Sequence, residues 1–315
     1  MNINIYKKDG KNKFMSNFFK KDVLKKIKDN ESDINEINNF LSKDECDNFI
    51  EYFKNLKKKS IGKSQHIERE ESTKTFFKLD QSKELKSLKE KLEDHLGEFY
   101  VNDFQPHLIT SRYPLRLHVD TGKNPNDIIF KNVIIPVQIE YDLNKVNHSP
   151  PNTVIFKNCW YNRSALFTKF TDNDKDFIIK DINGKFVDIL NIDLFYQHIE
   201  NINNDVVRYE GRKYNINDHF KDYIKRLTEI KRYNLRTDKH IVNDIEFDKK
   251  LYKKYLTHQP YEDCKSLEID KIVETEVGKL AYWDRVRIHS SDNFMKNNVK
   301  SKTLLALFTS KTKID

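Results

Sequence analysis

The sequence predicts a mainly β protein with flanking helices (α+β), centred on an antiparallel jelly-roll barrel, or double-stranded β-helix. Segments rich in Ile and Val, separated by Pro, Asn and Gly, begin near residue 100 and return after residue 270. Amphipathic helices precede them as an N-terminal buttress, and a charged, helix-rich stretch interrupts them at 171–265. Because a β unit interrupted by a helical block forms one core with an insertion, we expect a single domain over 34–315. Residues 1–33 are expected to be a basic N-terminal arm.

Two amphipathic helices are predicted ahead of the strands. Ser42 and Glu45 have the spacing of a capping box, in which each side chain bonds the backbone N–H of the other residue. The apolar face that follows at helical spacing comprises Cys46, Phe49, Ile50 and Phe53. The second helix carries Leu85, Leu88, Leu92 and Leu96, with Gly97 placed to end it.

Strands are predicted on both sides of the insertion, which is expected to act as a lid over the site. Their ranges are 107–112, 115–120, 127–141, 153–156, 272–276, 278–283, 286–289 and 302–309. Within the insertion, helices are expected near 190–201, 217–231 and 244–257.

Composition excludes several classes of protein. The chain has 315 residues but only 7 glycines, and it contains no G-x-G-x-x-G dinucleotide-binding motif. No apolar run approaches the length of a transmembrane helix, and no apolar signal-peptide core follows Met1. The 3 cysteines are widely spaced and odd in number, so we expect a reducing cytoplasmic location and no cysteine-based zinc site.

The formal net charge of +8 has two interpretations. One is a nucleic-acid or other anionic partner. The other is lysine used as general surface residue in a chain rich in Asn, Lys and Ile. Lysines and acids are interspersed almost everywhere and no stretch forms a basic tail, which favours the second interpretation.

The sharpest local pattern is His118-Val119-Asp120 on a predicted strand. Residues two apart share a face of a strand, so the imidazole and the carboxylate both point into the barrel. With a second histidine from a distant strand they would form the 2-His-1-carboxylate facial triad of non-haem iron oxygenases. A buried structural ion pair is the alternative. Similar patterns at 66–68 and 198–200 lie in a charged, loop-like stretch and in a predicted helix, respectively.

The complementary pattern lies near the C-terminus. His289 follows a strand and a turn, which makes it the candidate third ligand. A lysine then opens an apolar strand, where a cation can pair with the far carboxylate of a dicarboxylate co-substrate. Lys302 shares a strand face with apolar residues, and Lys300 has the same parity and is the alternative. Two ordinary surface lysines are the competing interpretation.

This order of His-x-Asp, His and Lys, each in β context, resembles the 2-oxoglutarate/Fe(II)-dependent dioxygenases. The segment Asn38-Asn-Phe-Leu-Ser-Lys-Asp-Glu-Cys46 is also similar to the opening helix of the prolyl 4-hydroxylase-like branch. The motifs at 116–122 and 280–294 look like those of uncharacterised viral and marine-bacterial members. The resemblance covers about 35–56, 100–170 and 270–310, and residues 171–265 lie outside it.

The resemblance implies a hydroxylase that uses Fe(II), 2-oxoglutarate and O₂. It implies that His118, Asp120 and His289 bind iron and that Lys302 holds 2-oxoglutarate. In the family the cation usually stands closer to the distal histidine than Lys302 does, which is 13 residues after His289. Tyr113 is the nearest candidate for a tyrosine that donates to 2-oxoglutarate. The carboxylate at Asp120 favours hydroxylation over halogenation, because iron halogenases of this superfamily have a small residue there.

Arg285, Arg287 and Trp160 are weaker candidates for substrate binding. The two arginines share the parity of His289, and Trp160 follows a predicted strand. The substrate class stays open between a protein side chain, a nucleobase and a small metabolite. Two alternatives from other classes are a non-catalytic jelly-roll binding protein and a basic nucleic-acid-binding protein with an incidental His-x-Asp.

Overall fold

The described chain is mainly antiparallel β-sheet with a few helices. The computed structural model describes residues 19–59, 66–68, 72–102, 106–122, 124–161, 164–167, 178–181, 186–188, 206–209, 212–215, 233–235, 246–265 and 267–314. The helices are α1 (Lys21–Asp29), α2 (Lys43–Lys59), α3 (Lys83–Leu96) and α4 (Lys249–Leu251), which runs into a π-helical turn (Tyr252–Leu256), and 3₁₀ turns span Tyr261–Cys264 and Phe294–Asn297. The strands are β1 (Asn35–Ile37), β2 (His66–Glu68), β3 (Ser72–Phe76), β4 (His107–Ser111), β5 (His118–Val119), β6 (Ile129–Tyr141), β7 (Asn152–Cys159), β8 (Ala165–Phe167), β9 (Ile178–Asp181), β10 (Phe186–Asp188), β11 (Val206–Tyr209), β12 (Arg212–Asn215), β13 (Tyr233–Leu235), β14 (Ile269–Glu274), β15 (Leu280–Asp284), β16 (Arg287–Ser291) and β17 (Val299–Ser310).

Two large sheets form the body of the protein. One has seven strands in the order β1-β15-β6-β17-β4-β3-β2, and the other has six in the order β13-β8-β5-β16-β7-β14. Ala281 and Trp283 of the first sheet pack in one buried cluster with Ile155 and Val273 of the second. The two sheets therefore face each other across an apolar layer, as in a β-sandwich. A third, four-stranded sheet has the order β10-β9-β12-β11.

The outer face of the seven-stranded sheet is covered by α2 and α3. Alternation along β17 turns Leu305 and Leu307 outward, where they join the leucines of α3 in one core. The same alternation turns Lys302, Leu304, Ala306 and Phe308 toward the opposite sheet. Neighbouring residues of one strand thus serve either the helical core or the interior between the sheets.

Both predicted N-terminal helices form and are capped as expected. The Ser42 hydroxyl accepts a hydrogen bond from the N–H of Glu45 (3.2 Å), and the Ser42 N–H donates to the Glu45 carboxylate (2.9 Å). Gly97 ends α3 at a φ of +65°, and its N–H donates to the carbonyl of Glu93 (2.8 Å). The capping box and the glycine stop are confirmed.

The predicted strands outside the insertion are confirmed, with bounds that shift by a few residues. The stretch at 66–68, expected to be loop-like, is instead the edge strand β2.

The insertion differs from the helix-rich pattern expected for it. Its described parts include the short strands β9 to β13, and α4 with its π turn occupies part of the helix expected at 244–257. The helices expected near 190–201 and 217–231 lie outside the described residues. Short strands there carry too little periodicity to be separated from charged helix by pattern alone.

Part of the predicted basic arm is a packed helix. Phe19 precedes α1, and with Val23 and Ile27 it is buried against Ile129 and Val286. Residues 1–18 lie outside the described chain. Every helix that the structure describes is too short or too polar to cross a bilayer.

Candidate metal centre

The two histidines meet because their strands are neighbours. β5 and β16 pair antiparallel, with His118 directly opposite His289. Residues directly opposite in an antiparallel pair project to the same face. The two imidazole ring centres consequently lie 4.1 Å apart.

Asp120 completes the group from just beyond β5. Its Oδ2 lies 3.4 Å from Nε2 of His118 and 3.4 Å from Nε2 of His289. All three side chains are buried. The strand pairing therefore brings together the three residues that the sequence predicts as ligands, with their ligand atoms all within 4.8 Å of one another.

Hydrogen bonds orient both histidine rings in the same way. Nδ1 of His118 lies 2.7 Å from the carbonyl of Arg116, and Nδ1 of His289 lies 3.0 Å from the carbonyl of Arg287. A carbonyl can only accept, so each Nδ1 is the protonated, donating nitrogen. In the neutral rings the Nε2 lone pairs are then directed at the Asp120 carboxylate.

This donor set fits a divalent transition metal. Two imidazole nitrogens and a carboxylate oxygen at this spacing are a group that a cation can bridge. Metal bonds of about 2.1 Å accommodate ligand atoms up to about 4.2 Å apart, and the histidine–aspartate separations of 3.4 Å lie within that limit. Two imidazoles and one carboxylate are a combination found in non-haem iron centres.

Arg285 supports the centre rather than lining a substrate cleft. Its side chain is 0% exposed, and its Nε donates to the backbone carbonyl of Asp120 at 2.7 Å. Its Nη1 donates to the carbonyl of Thr309 (3.1 Å) and lies 3.7 Å from Asp127 Oδ2. The placement of Arg285 does not support the predicted role in substrate binding, because its buried guanidinium bonds the Asp120 and Thr309 carbonyls and the Ser310 hydroxyl and so fixes the Asp120 backbone.

The two other weak substrate candidates are also placed elsewhere. Arg287 forms ion pairs with Asp270 and, at 3.6 Å, with Asp284. Trp160 is 1% exposed, with its backbone bonded to Val286. Arg287 is held in ion pairs and Trp160 is buried in the core, so neither side chain is free to contact a substrate.

Lys302 lies on the interior face of β17. It is 3% exposed, and its ammonium lies 5.1 Å from the centre of the Phe294 ring. Burial lowers the pKa of Lys302 to about 8, an effect partly offset by the carboxylate of Asp292. Lys300, the alternative anchor, is exposed. Of these two lysines, it is Lys302 that is buried and faces the space between the sheets.

Tyr113 is not in this interior. It is 45% exposed and lines an open cleft, which we call the mouth cleft. The mouth cleft is lined by Tyr113, Pro114, Arg116, His258, Asn293, Met295 and Lys296.

Two interior polar residues are not predicted by the sequence patterns. Trp283 packs edge-on against His289, with ring centres 5.1 Å apart, and Asn132 is its direct partner on β6. The indole Nε1 and both polar atoms of Asn132 are buried without a hydrogen-bond partner among the described residues. The sequence does carry one indication of this site: Asn132 is a polar residue at an inward-facing position of a strand rich in Ile and Val.

No protein-family model matches the chain, and no curated protein matches it either.

Proposed function

We propose that this protein is an Fe(II)/2-oxoglutarate-dependent dioxygenase that hydroxylates a substrate still to be identified. The overall reaction is the conversion of 2-oxoglutarate, O₂ and a substrate C–H group into succinate, CO₂ and the corresponding alcohol. The observation that carries the proposal is the buried group of His118, Asp120 and His289, with both Nε2 atoms directed at one carboxylate oxygen. When bound, iron would supply the activation of O₂ that is coupled to oxidation of the co-substrate.

The residues around the group have separate tasks in this proposal. His118, Asp120 and His289 would hold the metal, and the carbonyls of Arg116 and Arg287 keep the two rings from turning. Lys302 would pair with the far carboxylate of 2-oxoglutarate. An ammonium with no hydrogen-bond partner among the described residues, in a largely apolar interior, is suited to that pairing.

The interior also offers polar atoms to a bound molecule. Buried donors and acceptors are normally paired, because an unpaired one costs about 1–3 kcal/mol. The unpartnered atoms of Asn132 and Trp283 beside His289 support binding of a polar co-substrate between the sheets.

The jelly-roll topology is part of the same proposal. Two facing, mainly antiparallel sheets support it, with the ligand strands β5 and β16 adjacent in one and the lysine strand β17 central in the other. In this proposed topology the metal group would lie between the two sheets.

An anaerobic titration tests the proposed activity. Fe(II) followed by 2-oxoglutarate is expected to produce the visible metal-to-ligand charge-transfer band of the chelate. His118→Ala removes one ligand and is expected to abolish the band. His148→Ala removes an exposed histidine and is expected to leave it unchanged.

The charge-transfer band needs only Fe(II) and 2-oxoglutarate, so the test does not depend on knowing which molecule is hydroxylated. A folded wild-type protein that gives no band contradicts the proposal. A band that survives in the His118→Ala variant contradicts the assigned ligand set.

A further inference from the structure

The mouth cleft lies at one end of the strand pair that carries the two histidines. Arg116 precedes His118 by two residues, and Asn293 follows His289 by four. The two walls are joined where the Ser291 N–H donates to the carbonyl of Leu115 at 3.0 Å. The cleft is therefore built on the segments that adjoin the two histidines.

Among the residues that the structure describes, the cleft is lined by cations and by no acidic side chain. Arg116 on one wall and Lys296 on the other are exposed. Neither side chain has an ion-pair or hydrogen-bond partner within the part of the chain that the structure describes. Unpaired cations on both walls produce a local positive potential that an anion would neutralise.

His258 also lines the cleft. Its Nε2 lies 3.3 Å from the Ser290 hydroxyl, next to His289 in sequence. Burial, together with the charges of Arg116 and Lys302, lowers the pKa of His258 to about 4. The ring is neutral at pH 7, so the cations that line the cleft are Arg116 and Lys296.

Apolar surface lies beside the cations. Tyr113 and Met295 are 45% and 47% exposed, and both line the same cleft. A phenol ring and a thioether offer flat and adaptable contact to an aromatic or aliphatic group.

We propose that the mouth cleft binds the substrate through an anionic group, a phosphate or a carboxylate, held between Arg116 and Lys296, with its apolar part against Tyr113 and Met295. This assignment of substrate class rests on the proposed function, because the cleft becomes a substrate site only if the neighbouring centre is catalytic. Recognition of the anion itself needs no metal.

Ligand-observed NMR titration of the metal-free full chain tests the anion site. Phenyl phosphate and phenylacetate present the two anions on the same ring, and benzyl alcohol is the neutral counterpart. At least one of the anions is expected to bind, and the one that binds more tightly identifies the source of the charge. Arg116→Gln/Lys296→Gln is expected to weaken that binding at least about tenfold, the effect of losing charged hydrogen bonds.

Matched variants separate the cleft from general charge and from the interior. Lys86→Gln/Lys145→Gln removes the same charge from exposed positions elsewhere and is expected to change the Kd less than about twofold. Lys302→Met is expected to retain binding. The inference is overturned if neither anion binds, if benzyl alcohol binds equally well, or if the two double variants lose affinity equally.

The iron titration distinguishes this failure from failure of the proposed function. A charge-transfer band without anion binding removes the cleft assignment and leaves the oxygenase. Anion binding without a band leaves an anion-binding cleft and removes the oxygenase.

Discussion

At the scale of single residues, the two histidine rings are oriented by the same kind of local hydrogen bond. Each Nδ1 donates to the carbonyl two positions earlier, so the ring orientation of His118 and of His289 is decided within a three-residue segment. The backbone of Asp120 is instead fixed from far along the chain, by the buried guanidinium of Arg285. Protein hydrogen bonds therefore hold all three ligand positions, and such support reduces the ordering that metal binding requires.

The charge of Lys302 predicts a pH dependence for co-substrate binding. Its pKa is lowered from 10.5 to about 8, and only the ammonium form attracts a carboxylate. We expect the affinity of the iron-loaded protein for 2-oxoglutarate to fall as the pH rises from 7 to 9. Anaerobic titration of the charge-transfer band at each pH measures this affinity.

Variants assign that dependence to one residue. Lys302→Met is expected to weaken 2-oxoglutarate binding at pH 7 about tenfold or more and to abolish its fall above pH 8. Lys300→Met removes an exposed lysine and is expected to change neither. An unchanged pH profile in the Lys302→Met variant would place the anchor elsewhere.

The same pKa shift has a consequence for stability. Between pH 8 and 10.5 the unfolded chain holds a proton on Lys302 that the folded chain has released. This residue's contribution to the free energy of unfolding therefore rises with pH across that window, and below pH 8 the cost of burying its charge is present in full.

At the scale of secondary-structure elements, a tight turn joins the helical layer to the sheet. Gly278 precedes β15 with a φ of +81°, its N–H donates to the carbonyl of Pro136, and its carbonyl accepts from the N–H of Leu41. A Cβ at this position would overlap the carbonyl oxygen of Leu41. Only glycine suits both the left-handed conformation and the close approach.

We expect Gly278→Ala to destabilise the fold by about 1–3 kcal/mol, because it adds backbone strain to a steric overlap. Denaturant unfolding followed by circular dichroism measures the change. Gly97→Ala is the comparison: its φ is also positive, but the nearest atom to an added Cβ is a flexible lysine ammonium at 3.9 Å. A loss at position 278 no larger than that at position 97 would show that the overlap with Leu41 is relieved at little cost.

At the scale of the whole molecule, the metal group joins distant parts of the chain. His118 and Asp120 precede the insertion and His289 follows it, so a bound ion would link two strands that meet only in the folded state. Ligands that bind only the folded state stabilise it by about 2.7 kcal/mol at a concentration 100 times their Kd.

Added Fe(II) or Mn(II) is therefore expected to raise the Tm by a few degrees under anaerobic conditions. Asp120→Ala is expected to lose this shift, and Asp142→Ala, a half-buried aspartate at a turn outside the metal group, is expected to keep it. An equal shift in both variants would indicate metal binding outside the proposed group. Differential scanning fluorimetry with and without a chelator makes the measurement.

Much of this arrangement can be predicted from the sequence, because it depends on local periods. Alternation along a strand places His118 and Asp120 on one face, helical spacing predicts the leucine face of α3, and Ser42 with Glu45 predicts the start of α2. The candidate metal group follows from the same alternation once His289 is taken as its partner. These features need only residues that are near one another in sequence.

Tertiary structure alone decides what each inward or polar residue meets. Arg285 and Arg287 share the parity of His289, yet Arg285 is buried against the Asp120 carbonyl and Arg287 is paired with Asp270. Only the pairing of β5 with β16 places Arg116 and Lys296 on one cleft, and only the pairing of β15 with β6 brings Asn132 beside Trp283. Parity determines the side of a strand on which a residue lies, whereas the packing of distant strands determines whether that side meets core, ion pair, metal group or solvent.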